Sequence, residues 1–308
     1  MRTGAFLALL RRAMLVAAAA PFAACGGNSS GPPACFDATD AALQAKQTCG
    51  VTAGDCILDD ATCERVCGVQ TYCAQEKADP TTIDCSICGG RSTAGLGAPR
   101  RRGPGGGPVA GYLARMAHLE RASVVAFAVL HDELAAHGAP PRLLRAALRA
   151  KEDEARHGCV VGALAERYGG VVDEVRVARG PVRSLEAIAI ENAAEGCVRE
   201  TYGALVAAWQ ARRAADASVR SAMAGIARDE ARHAAFSWQL AVWIESRLDA
   251  GGRSRVRAAR DAAVAALACA VQTSPPDAAT QRTCGVPGAT DAARIVEALR
   301  AGLWASPA

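Results

Sequence analysis

The pentapeptide Asp153-Glu154-Ala155-Arg156-His157 recurs as Asp229-Glu230-Ala231-Arg232-His233, 76 residues further on. Residues three apart share a helix face, so Glu154 with His157, and Glu230 with His233, can each grip a metal ion from one side. A lone Glu-x-x-His arises by chance in helices rich in Ala and Glu. Here each copy also has a Glu upstream, Glu120 before the first and Glu195 before the second. That pair is offset by 75 residues, and the same offset aligns Phe127 with Tyr202 and Leu130 with Leu205. The candidate ligands are therefore Glu120, Glu154, His157, Glu195, Glu230 and His233. Hard oxygen and imidazole donors with no Cys among them suit iron or manganese over copper or a closed zinc site. Four carboxylates also balance two divalent ions, which removes the cost of burying each charge singly.

Such a set works only if helices bring it to one level. From Val109 the sequence turns to long Ala/Leu/Val-rich stretches with helical spacing. The first runs to about His137 and stops at Gly138-Ala139-Pro140-Pro141; the second continues to Tyr168, before Gly169-Gly170. After a longer connection, Ser184 offers an N-cap and Glu186 a first-turn acid to a third helix, 185–213. The fourth spans 217–248. Glu120 lies about seventeen residues before the first turn and Glu154 about fourteen after it, a mismatch of only ~5 Å at ~1.5 Å per residue. Connections that run short, long, short describe a four-helix bundle with one crossover.

Over residues 110–245 the repeated Glu-x-x-His with its upstream Glu resembles the ferritin-like superfamily of di-iron carboxylate proteins. The resemblance implies an all-α, ferritin-like four-helix bundle holding two iron ions, or manganese in their place. It implies that Glu154 and Glu230 bridge the metals, that Glu120 and Glu195 are terminal ligands, and that His157 and His233 bind one metal each. Dioxygen or peroxide would be the reactant, in oxidase or oxygenase chemistry whose organic substrate stays open. The alternative is an envelope module that sequesters or senses iron without turnover. The third helix also carries Glu191 and Glu200. The repeat selects Glu195, because Glu191 aligns with Met116 and Glu200 with Val125, and Glu191 stays as a substitute one turn away. Rubrerythrin-type sites have a further Glu three residues after that ligand, where this chain has Val198.

Asp153 and Asp229 each directly precede a ligand Glu and are rotated about 100° from it around the helix. A metal-bound His usually donates its other ring N–H to a carboxylate. Crossed pairs are expected, Asp229 to His157 and Asp153 to His233. His118 and His131 are expected on bundle surfaces or edges, and Tyr202 as a core aromatic opposite Phe127, a redox-active phenol being the alternative. Cys159 and Cys197 should face away from the metals, as core residues or disulfide partners. Beyond Gly252, helices are expected at about 253–271 and 291–304, with Cys269 and Cys284 bridged to each other.

The chain of 308 residues is 51% apolar, 21% charged and 4% aromatic, which favours packed helices over a sheet. A formal charge of +4, spread over both signs, is too small to argue for nucleic acid as the main partner, and none is expected. No apolar run is long enough for a transmembrane helix. Thirteen Cys, nine of them before residue 90, point away from the cytosol. Residues 1–25 read as an export signal, with Arg2, Arg11 and Arg12 ahead of an apolar run. It ends in Phe22-Ala23-Ala24-Cys25, which resembles a bacterial lipobox with Phe in place of the usual Leu. A lipid anchor on Cys25 in the cell envelope is expected, and a soluble periplasmic or secreted form is the alternative. The segment 26–108 holds Cys35, Cys49, Cys56, Cys63, Cys67, Cys73, Cys85 and Cys88, an even set that reads as a disulfide framework between a tether and a Gly/Pro/Arg linker. The bundle then occupies 109–250 and a helical extension 251–308.

Overall fold

The computed structural model describes residues 39–47, 56–58, 62, 65–66, 71–75, 79–87, 107–175, 177, 180–273 and 275–304. The export signal with Cys25, and Cys35, Cys49, Cys63, Cys67 and Cys88 of the disulfide framework, lie outside the described residues. The Cys-rich stretch contains four short strands that Cys spacing does not announce: β1 (Gln44–Gln47), β2 (Cys56–Ile57), β3 (Thr71–Gln75) and β4 (Thr82–Ile87). Their order is β1-β4-β3-β2, with β1 parallel to β4 and the other pairs antiparallel. Cys73 is the backbone partner of Cys85. Ile83 is buried in this sheet against Leu43, Leu58 and Val66.

From Gly107 on, helices make up most of the described chain. Helix α1 (Gly107–Ala136) ends where Gly138 takes a φ of 70°, and the Ala139 N–H reaches back to the Leu134 carbonyl at 2.9 Å. This left-handed closure suits glycine, and Pro141 then opens α2 (Pro141–Arg167) at its first position. Helix α3 begins with Leu185–Glu191, capped by the Ser184 hydroxyl, which accepts the Ala187 N–H. It continues as a nine-residue π-helix, Asn192–Glu200, and finishes as α-helix over Thr201–Arg213. The Asp216 carboxylate caps α4 (Ala217–Glu245) by accepting from Ser218 and Val219.

The long connection between α2 and α3 is anchored at both ends. The Arg183 guanidinium donates to both oxygens of buried Glu133 (2.8 and 2.7 Å) and also pairs with Glu191. His137 Nε2 donates to the Arg183 carbonyl (2.7 Å), and His118 Nδ1 to the Asp173 carbonyl (3.1 Å). His118 is therefore interior, correcting the expectation of a surface position. The ring meets the connection between α2 and α3 at Asp173, which covers it.

Four helices share two apolar layers. One joins Phe127, Leu130 and Leu134 of α1 to Leu143 and Ala147 of α2, Ile188 and Ala193 of α3, and Phe236 and Leu240 of α4. The other joins Leu113 and Ala117, Val161 and Leu164, Ala207, and Val219, Met223 and Ile226 from the same helices. Between the layers each helix contributes polar residues, and this band holds the candidate ligands.

A third apolar cluster lies where α3 and α4 meet the carboxyl-terminal helices α5 (Ala250–Thr273) and α7 (Ala289–Leu299, extended by a π turn to Trp304). A short helix, α6 (Ala278–Cys284), fills the loop between them. Tyr202 packs against this third cluster, whereas Phe127 belongs to the first layer. Cys284 is a buried free thiol, hence the expected Cys269–Cys284 bridge does not form. Neither Cys159, which is exposed, nor Cys197, which is buried, is in a disulfide, which removes the disulfide reading for both and the core reading for Cys159.

Candidate metal centre

Glu120, Glu154, His157 and Glu230 each offer a ligand atom within 4.8 Å of all the others. They come from α1, α2 and α4. His157 Nδ1 lies 3.3 Å from Glu120 Oε2, 3.4 Å from Glu230 Oε1 and 3.8 Å from Glu154 Oε2. His233 joins from α4, its Nδ1 standing 3.1 Å from Glu154 Oε1 and 3.5 Å from Glu230 Oε1. The two rings are 6.0 Å apart, and Phe127 rests against the His233 ring at 5.4 Å. Both Nδ1 atoms are buried and neither closes a hydrogen bond with the oxygens around it. Basic nitrogens that approach several carboxylates without bonding any of them have the donor geometry that a cation among them would satisfy.

Glu195 is buried but stands outside that group of four. Arg199, one turn later on α3, donates to its Oε1 at 2.6 Å. Glu191 is turned to Arg183 on the crossover, and Glu200 accepts from the Ser237 hydroxyl at 3.1 Å.

The other ring nitrogens point the opposite way. His157 Nε2 donates to Asp229 Oδ2 (3.1 Å) and His233 Nε2 to Asp153 Oδ2 (3.3 Å). Each Asp thus serves the His of the other copy, leaving Nδ1 as the face free for a cation. Two arginines lock this arrangement, one from each pentapeptide. Arg156 donates to Asp153 (2.7 Å) and Asp229 (2.6 Å), and Arg232 to Asp153 (2.9 Å) and Asp229 (2.6 Å). Sequence reasoning passes over both arginines, although their place in the repeated string is the available signal.

Charges follow the geometry. Burial raises the Asp153 and Asp229 carboxyls, but bonds from the imidazoles, Arg156 and Arg232 outweigh it and hold both below their usual range. Burial would lower His157; Glu120 and Glu230 pressed against it prevail and push it up to about 11. His233 is likewise raised, burial being overcome by Glu230, Asp153 and Glu154. Burial pushes Glu154 well up, and repulsion from Glu120 and Glu230 adds to that. Glu230 moves down despite its burial, because both imidazoles face it. Protons held by the two rings and by Glu154 thus offset the remaining carboxylates of the metal-free band, and divalent cations can take the place of those protons.

No protein-family model, curated protein or solved structure matches this chain. No helix among the described residues is long and apolar enough to cross a membrane.

Proposed function

We propose that the chain is a ferritin-like di-metal carboxylate protein, exported and lipid-anchored, that reacts with dioxygen or peroxide. The observation that carries this reading is the pair of buried imidazole Nδ1 atoms aimed among Glu120, Glu154 and Glu230, each ring backed by an Asp at Nε2. Glu120, Glu154, His157, Glu195, Glu230 and His233 would hold two ions, iron or manganese by the hardness of the donors. When bound, such a redox pair supplies electrons to dioxygen or peroxide.

The chain's own residues do the remaining work. Asp153 and Asp229 fix the imidazole tautomer and raise the basicity of Nδ1. Arg156 and Arg232 keep both Asp ionised and hold α2 to α4. The apolar layers above and below, Phe127 included, exclude water from the polar band, which strengthens every charge interaction inside it. Carboxylates that are not fixed by hydrogen bonds within the cluster can shift between binding modes as charge changes.

Export and the Cys25 anchor rest on the basic and apolar pattern of residues 1–25 and on the Cys-rich segment that follows. Metal analysis of purified protein, followed by optical spectra under dioxygen and peroxide, tests the central claim. Two ions per chain are expected, and Glu154→Ala or Glu230→Ala should lose most of both. Full metal retention in both variants would refute it. Slow single-turnover oxidation of ferrous iron, with no turnover on organic substrates, would favour the sequestering module.

A further inference from the structure

The internal repeat equates Glu195 with Glu120, yet the chain holds the two differently. Glu120 stands in the cluster, whereas Glu195 is bonded by Arg199, with side chains only 10% and 11% exposed. At the offset of 75 the counterpart of Arg199 is Val124, so Glu120 has no arginine one turn after it as Glu195 does. Glu195 and Arg199 both project from the π-helical part of α3, and that segment is pinned from several sides. The Asn192 amide donates to the Ser237 carbonyl (2.9 Å), and the Trp304 indole donates to the Cys197 carbonyl (3.0 Å). At Gly196, a Cβ would come within 2.5 Å of Ser237 Oγ and 2.6 Å of Asn192 Oδ1. The Glu195–Arg199 bond is thus a fixed feature of a packed segment, unlike a solvated surface pair.

A guanidinium is a permanent cation. Buried beside Glu195, Arg199 supplies part of the positive charge that a second metal ion would bring. We infer that Arg199 makes the two metal positions unequal, a conclusion that rests on the di-metal reading. The ion held by Glu120, Glu154, His157 and Glu230 binds first. The second, which needs Glu195 with His233, binds only by taking Glu195 from Arg199. Breaking a buried charge-assisted hydrogen bond sets the second step roughly ten- to a hundredfold weaker than the first. Arg199 is a positioning residue, acting on the metal through Glu195.

The test is an anaerobic titration of the metal-free full chain with Mn²⁺, counting free ion by its electron paramagnetic resonance signal. Wild type should show one tight and one weaker step. Arg199→Gln takes the guanidinium away from Glu195, so the second step should tighten toward the first while the first stays put. Arg199→Lys, which keeps the charge, should retain the gap. Glu195→Gln should abolish the second step and leave the first, and it serves as the second handle where Arg199→Gln folds poorly. Circular dichroism and melting curves establish that the variants are folded. Two equal steps in wild type, or an Arg199→Gln gap as wide as that of wild type, would overturn the inference while leaving the di-metal reading standing. One step only, in wild type and Arg199→Gln alike, or none at all, overturns the di-metal reading and the inference with it.

Discussion

Asp229→Asn isolates what the Asp–His pair does for metal binding. The Asp229 carboxylate accepts from His157 Nε2 (3.1 Å) and Arg156 (2.6 Å) at Oδ2, and from Arg232 (2.6 Å) at Oδ1. All three partners are donors, and an amide has only one oxygen to offer them. Turning the NH₂ toward Arg232 sacrifices one bond, while turning it toward His157 sacrifices two. The substituted amide therefore keeps its oxygen on His157, so the ring stays in place and loses only the charge behind it. Outer partners of this kind are worth about 10- to 100-fold in metal affinity, or about 1.4 to 2.8 kcal/mol.

Competition of Mn²⁺ between the protein and a fluorescent chelator would measure the loss. Asp229→Ala, which removes the acceptor altogether, should fall at or beyond the upper end of that range. Glu186→Gln is the control, since Glu186 pairs with Arg255 on the surface, well away from the ligand band in the chain. Asp229→Asn and Asp229→Ala both binding within about threefold of wild type would refute the reasoning, because the outer-partner effect begins at about tenfold.

Three further outcomes test the frame around the site. Gly196→Ala should destabilise the fold by about 1–3 kcal/mol, because the new Cβ meets Ser237 and Asn192 at 2.5 and 2.6 Å, whereas Gly203→Ala, with nothing within 4 Å, should stabilise it by about 0.5–1 kcal/mol; urea midpoints decide. Arg183→Met strands the buried Glu133 carboxylate and should cost about 3–5 kcal/mol, much of it recovered in Arg183→Met/Glu133→Gln, which removes the stranded charge. In the metal-free protein, His157 raised to about 11 contributes stability that is fully present below its unfolded value of about 6.5 and is lost as pH rises through about 11. The denaturation midpoint of metal-free wild type should accordingly fall from about pH 7 to about pH 11 more steeply than that of His157→Gln, and metal affinity should rise with pH as the ring proton is displaced.

The parts of this molecule that were legible in sequence are those set by local chemistry and by repetition. Helix limits follow Pro141, the Ser184 cap and the glycines at 138 and 169, and the four long helices begin and end within a few residues of where those signals put them. The repeated pentapeptide names Glu154, His157, Glu230 and His233, and its Asp and Arg positions build the network behind the imidazoles. What was not legible depends on contacts between distant segments. His118 has no sequence neighbour that marks it as buried; the crossover laid over it does so, through the Asp173 carbonyl. Helix α6 and the free Cys284 depend on how the carboxyl-terminal segment settles against α3 and α4.

The π-helix is the most consequential of these hidden features. Its composition, Asn-Ala-Ala-Glu-Gly-Cys-Val-Arg-Glu, reads as ordinary helix, and only packing with Ser237 and Trp304 distinguishes it. Widening the turn there changes which residues of α3 face the band, so an alignment by repeat offset names Glu195 without determining what its carboxylate touches. Pseudo-symmetry thus governs α2 and α4, where the two pentapeptides face each other and must match. It relaxes on α3, where one arginine and one non-standard turn can make the two halves of the site differ without disturbing the layers that hold it.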